Sequence, residues 1–219
     1  MPRLLFEKTG NAVWISHLDL MRLFQRAFKR AKLPLTHTQG FNPRPSVSIA
    51  LPLSVGVESC CELLDFDLDG ETVPVDEMKL RLNDALVDGV RVLDVYADGR
   101  KLRDLALLRS TIVLEYDRGL PEKAGEYLEE LFSRPILTVP KKTKNGIKDQ
   151  DLVSMIRHIQ IVHVSEHELA IHLLACCQNP TLNPMQLIEA IKMYMPKLTP
   201  DFAKCQREEI YDAQETVFR

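Results

Sequence analysis

Residues 3–34, RLLFEKTGNAVWISHLDLMRLFQRAFKRAKLP, decide the fold. Leu4-Leu5-Phe6-Glu7-Lys8 is a short, mostly apolar run that stops at the turn signal Thr9-Gly10-Asn11, which predicts a strand. Ala12-Val13-Trp14-Ile15 either continues that strand past a bulge or forms its partner. Ser16 followed by Asp19 has the spacing of a helix N-cap box. From His17 to Ala31, the apolar Met21, Phe24, Ala27, Phe28 and Ala31 recur at helical spacing. Arg22, Gln25, Arg26, Lys29 and Arg30 fall largely between them, so the predicted helix has one apolar and one basic face, ended by Pro34.

Working outward, a polar loop over Thr36–Pro45 leads to a strand near Val47–Leu51. Glu62–Leu68 alternates Leu64, Phe66 and Leu68 with Asp65 and Asp67, a second strand. Val75–Val87 reads as a helix with Met78, Leu82, Ala85 and Leu86 inward, and Val90–Tyr96 as a closing strand. That order, β-α-β-β-α-β, is the ferredoxin-like split motif. The second half repeats it. Thr111–Tyr116 is a strand, Pro121–Phe132 a helix with Pro121 in its first turn, and a lysine-rich loop follows. Strands at about Met155–Val164 and Glu168–Cys176 flank the turn Ser165-Glu166-His167; a helix at Met185–Met195 and a strand at Glu209–Val217 complete the set. The expected class is α+β: two tandem ferredoxin-like units over residues 1–98 and 110–219, joined by a connector over 99–109.

Charge is strongly polarised. The 219 residues carry a formal charge of only −3, which excludes a uniformly basic surface. Residues 1–50 nevertheless sum to +6, residues 51–101 to −7, and Lys141, Lys142, Lys144 and Lys148 form a +4 island without an acid. No apolar run reaches the roughly 18–20 residues of a membrane span, and Met1–Phe6 is too short for a signal-peptide core. Five cysteines, as Cys60-Cys61, Cys176-Cys177 and Cys205, suit reduced thiols in the cytoplasm, not a disulfide framework.

Metal and cofactor motifs are absent from the sequence: it has no paired CxxC, no HExxH, no phosphate loop and no dinucleotide fingerprint. His158, His163, His167 and His172 crowd one hairpin at a spacing that also fits exposed strand positions. His17 stands in a helical first turn, where the dipole favours the neutral ring; this suits a base, a hydrogen-bond partner or an ordinary helix start. The stronger pattern is nucleic-acid binding. Arg22, Arg26, Lys29 and Arg30 suit phosphates, while His37, Gln39, Asn42 and Arg44 offer polar contacts in a loop. Phe41 in that loop either stacks on a base or belongs to the core. Lys141, Lys142, Lys144 and Lys148 have the composition of a mobile phosphate-tracking loop.

Ser16-His17-Leu18-Asp19-Leu20-Met21-Arg22, Arg26-Ala27, Lys29-Arg30-Ala31, Leu33-Pro34 and Gln39-Gly40-Phe41-Asn42-Pro43 resemble a bacterial radical-SAM-associated domain family of unknown function. So do Ala50-Leu51-Pro52-Leu53 and Val55-Gly56-Val57-Glu58-Ser59. The likeness is dense over about residues 1–70 and thins to Lys144-x-Gly146, Asn183-Pro184 and Arg207-Glu208-Glu209-Ile210-Tyr211. Arg44 departs from it, standing where many members carry His. In that family the domain is fused to, or encoded beside, a cobalamin-binding radical SAM protein. This chain lacks the CxxxCxxC cluster of the enzyme itself, so the resemblance implies an accessory role with a radical SAM protein as partner. At the level of architecture it also resembles the RAMP-type, tandem ferredoxin-like endoribonucleases that process CRISPR repeats. That likeness would cast His17 as a general base, although their late Gly-rich loop has no counterpart here.

Three functions follow as expectations. The first is an RNA-binding accessory protein that presents RNA to a radical SAM modification enzyme, with no cofactor, metal or membrane partner of its own. The second is a metal-independent endoribonuclease using His17. The third is a protein-interaction module, without an RNA role, in which the acidic 58–77 stretch and the basic helix bind partner proteins.

Overall fold

A computed structural model describes residues 1–70, 73–143 and 146–219. The chain divides into two compact units, Met1–Asp104 with Val217–Arg219, and Leu105–Thr216. Its class is α+β.

The first unit runs β1 (Arg3–Lys8), α1 (His17–Arg30), β2 (Val47–Ile49), β3 (Glu58–Phe66), α2 (Val75–Ala85) and β4 (Val90–Tyr96). All pairings are antiparallel, in the order β4-β1-β3-β2. Strand alternation sends Leu4, Phe6, Leu64 and Phe66 to the helices, where they meet Leu20, Phe24 and Phe28 of α1 and Met78 and Leu82 of α2 in one core. Phe6 and Phe24 pack edge to face with centroids 4.7 Å apart. Each fully buried side chain of this size contributes about 1.5–3 kcal/mol.

The expected helix is present, and its caps explain its ends. Ser16 Oγ accepts from the Asp19 amide (3.2 Å) and donates to the Asp19 carboxylate (2.7 Å). The helix ends before Pro34: Lys32 adopts φ 56°, and the Leu33 amide reaches back to the Phe28 carbonyl, a Schellman closure. Ala12–Ile15 is not a strand. Gly10–Trp14 forms a 3-10 turn, entered through the left-handed Gly10 and held by the Lys8 ammonium on the carbonyls of Val13 (3.1 Å) and Ile15 (2.8 Å). β3 starts four residues before the expected Glu62, and β2 stops short of the left-handed Leu51. A Cβ on Gly89 would lie 2.4 Å from the Thr9 carbonyl, so only glycine permits this approach at the start of β4.

The second unit runs β5 (Leu105–Glu115), α3 (Ala124–Phe132), β6 (Thr138–Thr143), β7 (Gly146–Asp151), β8 (Ile156–Ser165), β9 (Glu168–Cys176), α4 (Gln186–Tyr194) and β10 (Phe202–Asp212). Its sheet is antiparallel, ordered β10-β5-β9-β8, and β6 pairs with β7 as a separate hairpin. Several expectations change here. Residues 105–109 of the expected connector belong to β5, with Leu105, Leu107 and Leu108 buried. α3 begins three residues after Pro121, because Lys123 turns left-handed at its N-cap. The last strand lies seven residues upstream of the expected Glu209 start; a register shift between Arg207 and Glu209 breaks the alternation that would reveal it.

The lysine-rich segment is the hairpin β6–β7, not an irregular loop. Pairing sets Lys141 opposite Lys148 and Lys142 opposite Ile147, so alternation sends Lys142 to the other face from Lys141 and Lys148. Lys144 lies outside the described residues.

Among the described residues no helix is long and apolar enough to cross a membrane, and no group of three or more His, Cys, Asp or Glu is placed to hold a metal ion. The five cysteines are unbridged, with Cys60 and Cys176 half-buried and Cys61, Cys177 and Cys205 buried.

Candidate nucleic-acid interface

The eight Lys and Arg residues that make the first fifty residues basic fall into two groups. Arg3 is 2% exposed; its guanidinium donates twice to Asp65, its register partner on β3, at 2.6 and 3.0 Å, and stacks on the Phe218 ring. A Cβ on Gly99 would lie 2.7 Å from that guanidinium, so the stacked pair is closely roofed. Lys8 is buried as well, on the carbonyls that close the 3-10 turn. Neither is available to a ligand.

The other six are exposed: Arg22, Arg26, Lys29 and Arg30 on α1, Lys32 just past its end and Arg44 in the loop before β2. Arg22, Arg26 and Arg30, four residues apart, line a groove of about 360 Å³ with Ile15, Asp19, Leu23 and Val87. Arg22 donates to Asp19 at 3.0 Å, and Arg30 donates to the Ala85 carbonyl at the end of α2. Arg26 makes no hydrogen bond or ion pair among the described residues. Asp19 is the one acid in the groove. The Ser16 hydroxyl first, and then Arg22, hold its carboxyl below the usual range, so it stays ionised and subtracts one charge. Lys29 lies round the helix, lining a second groove of about 490 Å³ with Gln25, Lys32, Leu35, His37 and Pro45 among others.

His37, Gln39, Phe41, Asn42 and Arg44 belong to a finger between α1 and β2. Its arms are laddered: the Ser46 amide donates to the Thr36 carbonyl, the Thr38 amide to the Arg44 carbonyl, and the Arg44 amide to the Thr38 hydroxyl. The tip, residues 39–43, is exposed throughout, and Phe41 is fully exposed at 107%. The core alternative for Phe41 is thereby excluded.

His17 opens α1, and its Nδ1 is buried with no hydrogen-bond partner among the described residues. In the second unit Lys142 and Lys148 are exposed, while Lys141 is half-buried and reaches the Thr181 carbonyl at 3.4 Å. The four hairpin-strand histidines considered for metal binding are exposed. Sequence reasoning missed Lys32, which lies past the helix end and lines the second groove, and Trp14, hidden in an expected strand but 68% exposed.

The family model DUF2344, described as an uncharacterized protein conserved in bacteria, matches residues 2–184, a span that holds every candidate residue above. The chain belongs to this family. A search of the curated proteins found no match. Among solved structures, a chain of a Cbf5-Nop10-Gar1 complex is similar in fold, with a TM-score of 0.54 and 6% identity. The likeness covers 95% of this chain and 48% of that one, so this DUF2344 chain spans about half the length of the solved chain. An unknown protein from Galdieria sulphuraria is also aligned, at 8% identity over 94% of this chain and 96% of that one, with a TM-score of 0.27.

Proposed function

We propose that this DUF2344 protein is an RNA-binding accessory protein that presents RNA to a radical SAM modification enzyme. The observation that carries the reading is the row Arg22, Arg26 and Arg30 along an exposed groove of the same unit that projects the bare Phe41. Guanidinium groups at helical spacing match a phosphate backbone, and an aromatic ring free of the core is a surface for an unpaired base. The radical SAM partner rests on the sequence resemblance alone, which is dense over about residues 1–70 and thinner beyond. Two tandem ferredoxin-like modules are the architecture we assign. Support comes from the strand sets β4-β1-β3-β2 and β10-β5-β9-β8, which repeat one order when the strands of each set are numbered along the chain and the β6–β7 hairpin is left out.

The nuclease reading draws less support. A general base needs its second nitrogen oriented by a partner, and Nδ1 of His17 has none. Filter binding of total RNA to wild type and to a combined Arg22→Ala, Arg26→Ala, Arg30→Ala variant tests the proposal. Retention by wild type that the variant loses supports it; equal retention, or none by either, refutes it.

A further inference from the structure

Trp14 is the single tryptophan of the chain, and two-thirds of its surface is open to water. Tryptophan is a large apolar side chain that folding ordinarily covers, so an indole left this bare by a well-packed turn calls for an explanation. Its backbone is not loose. Gly10–Trp14 is pinned by Lys8 from beneath and by the Gly56 amide on the Val13 carbonyl at 2.9 Å. A Cβ on Gly56, at φ +83°, would meet the indole at 3.5 Å, so the ring lies along a glycine backbone with the rest of its surface exposed.

Position gives the ring its meaning. Trp14 immediately precedes Ile15, where the arginine-lined groove begins, and Leu18, four residues on and also bare, adjoins Arg22 on the next turn. An indole thus stands at the N-terminal end of α1, and Arg22, Arg26 and Arg30 follow along the helix. An apolar protein partner would leave these guanidinium groups and Asp19 to be desolvated beside it. A single nucleic-acid strand satisfies both parts at once, its phosphates meeting the arginines and a base covering the indole. Duplex RNA keeps its bases stacked inside and has none to offer the ring.

Building on the RNA-binding reading, we infer that the α1 groove takes single-stranded RNA and that Trp14 is its base-stacking platform. The experiment is tryptophan emission during titration with an oligouridylate of about 12 nucleotides, within the site sizes of comparable single-strand binders. Because the chain has one tryptophan, the signal has one source. Stacking quenches the emission saturably. Trp14→Phe keeps the affinity measured by filter binding, and Trp14→Ala weakens it about tenfold or more. A duplex of similar length gives no comparable quench. Oligouridylate bound with unchanged emission, or with equal affinity by Trp14→Ala, overturns the inference while RNA binding stands; the indole would then be a protein contact. Quenching by duplex as strong as by single strand also overturns it. Absence of any RNA binding by filter assay overturns both readings.

Discussion

β1 and α1 are neighbours in sequence and both contribute to the +6 charge of the first fifty residues, yet they use their cations in opposite ways. Arg3 and Lys8 are consumed by the fold, one on a carboxylate and an aromatic ring, the other on two carbonyls. The cations of α1 are spread along a wet face, where an exposed ion pair such as Arg22–Asp19 adds little to stability. A buried charge is a structural part whose removal strands its partner; an exposed one is free for a ligand. Charge counted along a chain does not separate the two.

The largest effect belongs to β1. Arg3→Ala leaves Asp65 without its ion pair in a nearly closed site, and we expect a loss of about 3–5 kcal/mol in urea unfolding. An unchanged midpoint would erase the distinction between the strands. Lys8→Ala comes next. It strands the Ile15 carbonyl and removes one of the two donors to the Val13 carbonyl, at about 1–3 kcal/mol, and loosens the turn that carries Trp14; circular dichroism and denaturation together read the effect.

The same contrast of buried and exposed groups extends to the thiols. Burial pushes Cys177 up to about 12 and Cys205 up to about 11, from 9.0. Below pH 9 folded and unfolded chains both keep these protons, and the contribution is fully present. Above it the unfolded chain ionises first, so stability falls as pH climbs from 9 towards 12. At neutral pH a thiol reagent reaches Cys60 and Cys176 ahead of their vicinal neighbours. Equal labelling of all five cysteines in the folded protein would contradict the burial pattern. The smallest structural effect is expected on α1. Arg22→Ala with Arg26→Ala leaves the unfolding midpoint within about 0.5 kcal/mol, although RNA binding suffers.

Legibility in the sequence followed periodicity. α1 and β9 lie where expected because nothing interrupts their repeat, and β4 does so although its register with β1 shifts between Asp94 and Val92. β10 was displaced because the shift at Arg207–Glu209 switches the phase of alternation, and the β6–β7 hairpin was hidden because its residues are mostly polar on both faces. Among site residues, the helix period sufficed to place Arg22 and Arg26 in solvent. Arg3 and Lys8 count towards the +6 of the first fifty residues like any other cation, since the partners that bury them lie on β3, near the C-terminus and in the 3-10 turn, where no local pattern points to them. Phe41 and Trp14 sit in a finger tip and a one-turn helix, where no repeat exists to say which way a ring points.

The most direct test is the salt dependence of RNA affinity for wild type and the Arg22, Arg26, Arg30 triple alanine variant. Each phosphate contact contributes about 0.7 to the slope of log affinity against log salt on a single strand. The account predicts a steep slope for wild type, a slope about 2 shallower for the variant, and near-identical unfolding curves. Equal slopes and affinities for the two proteins would contradict it.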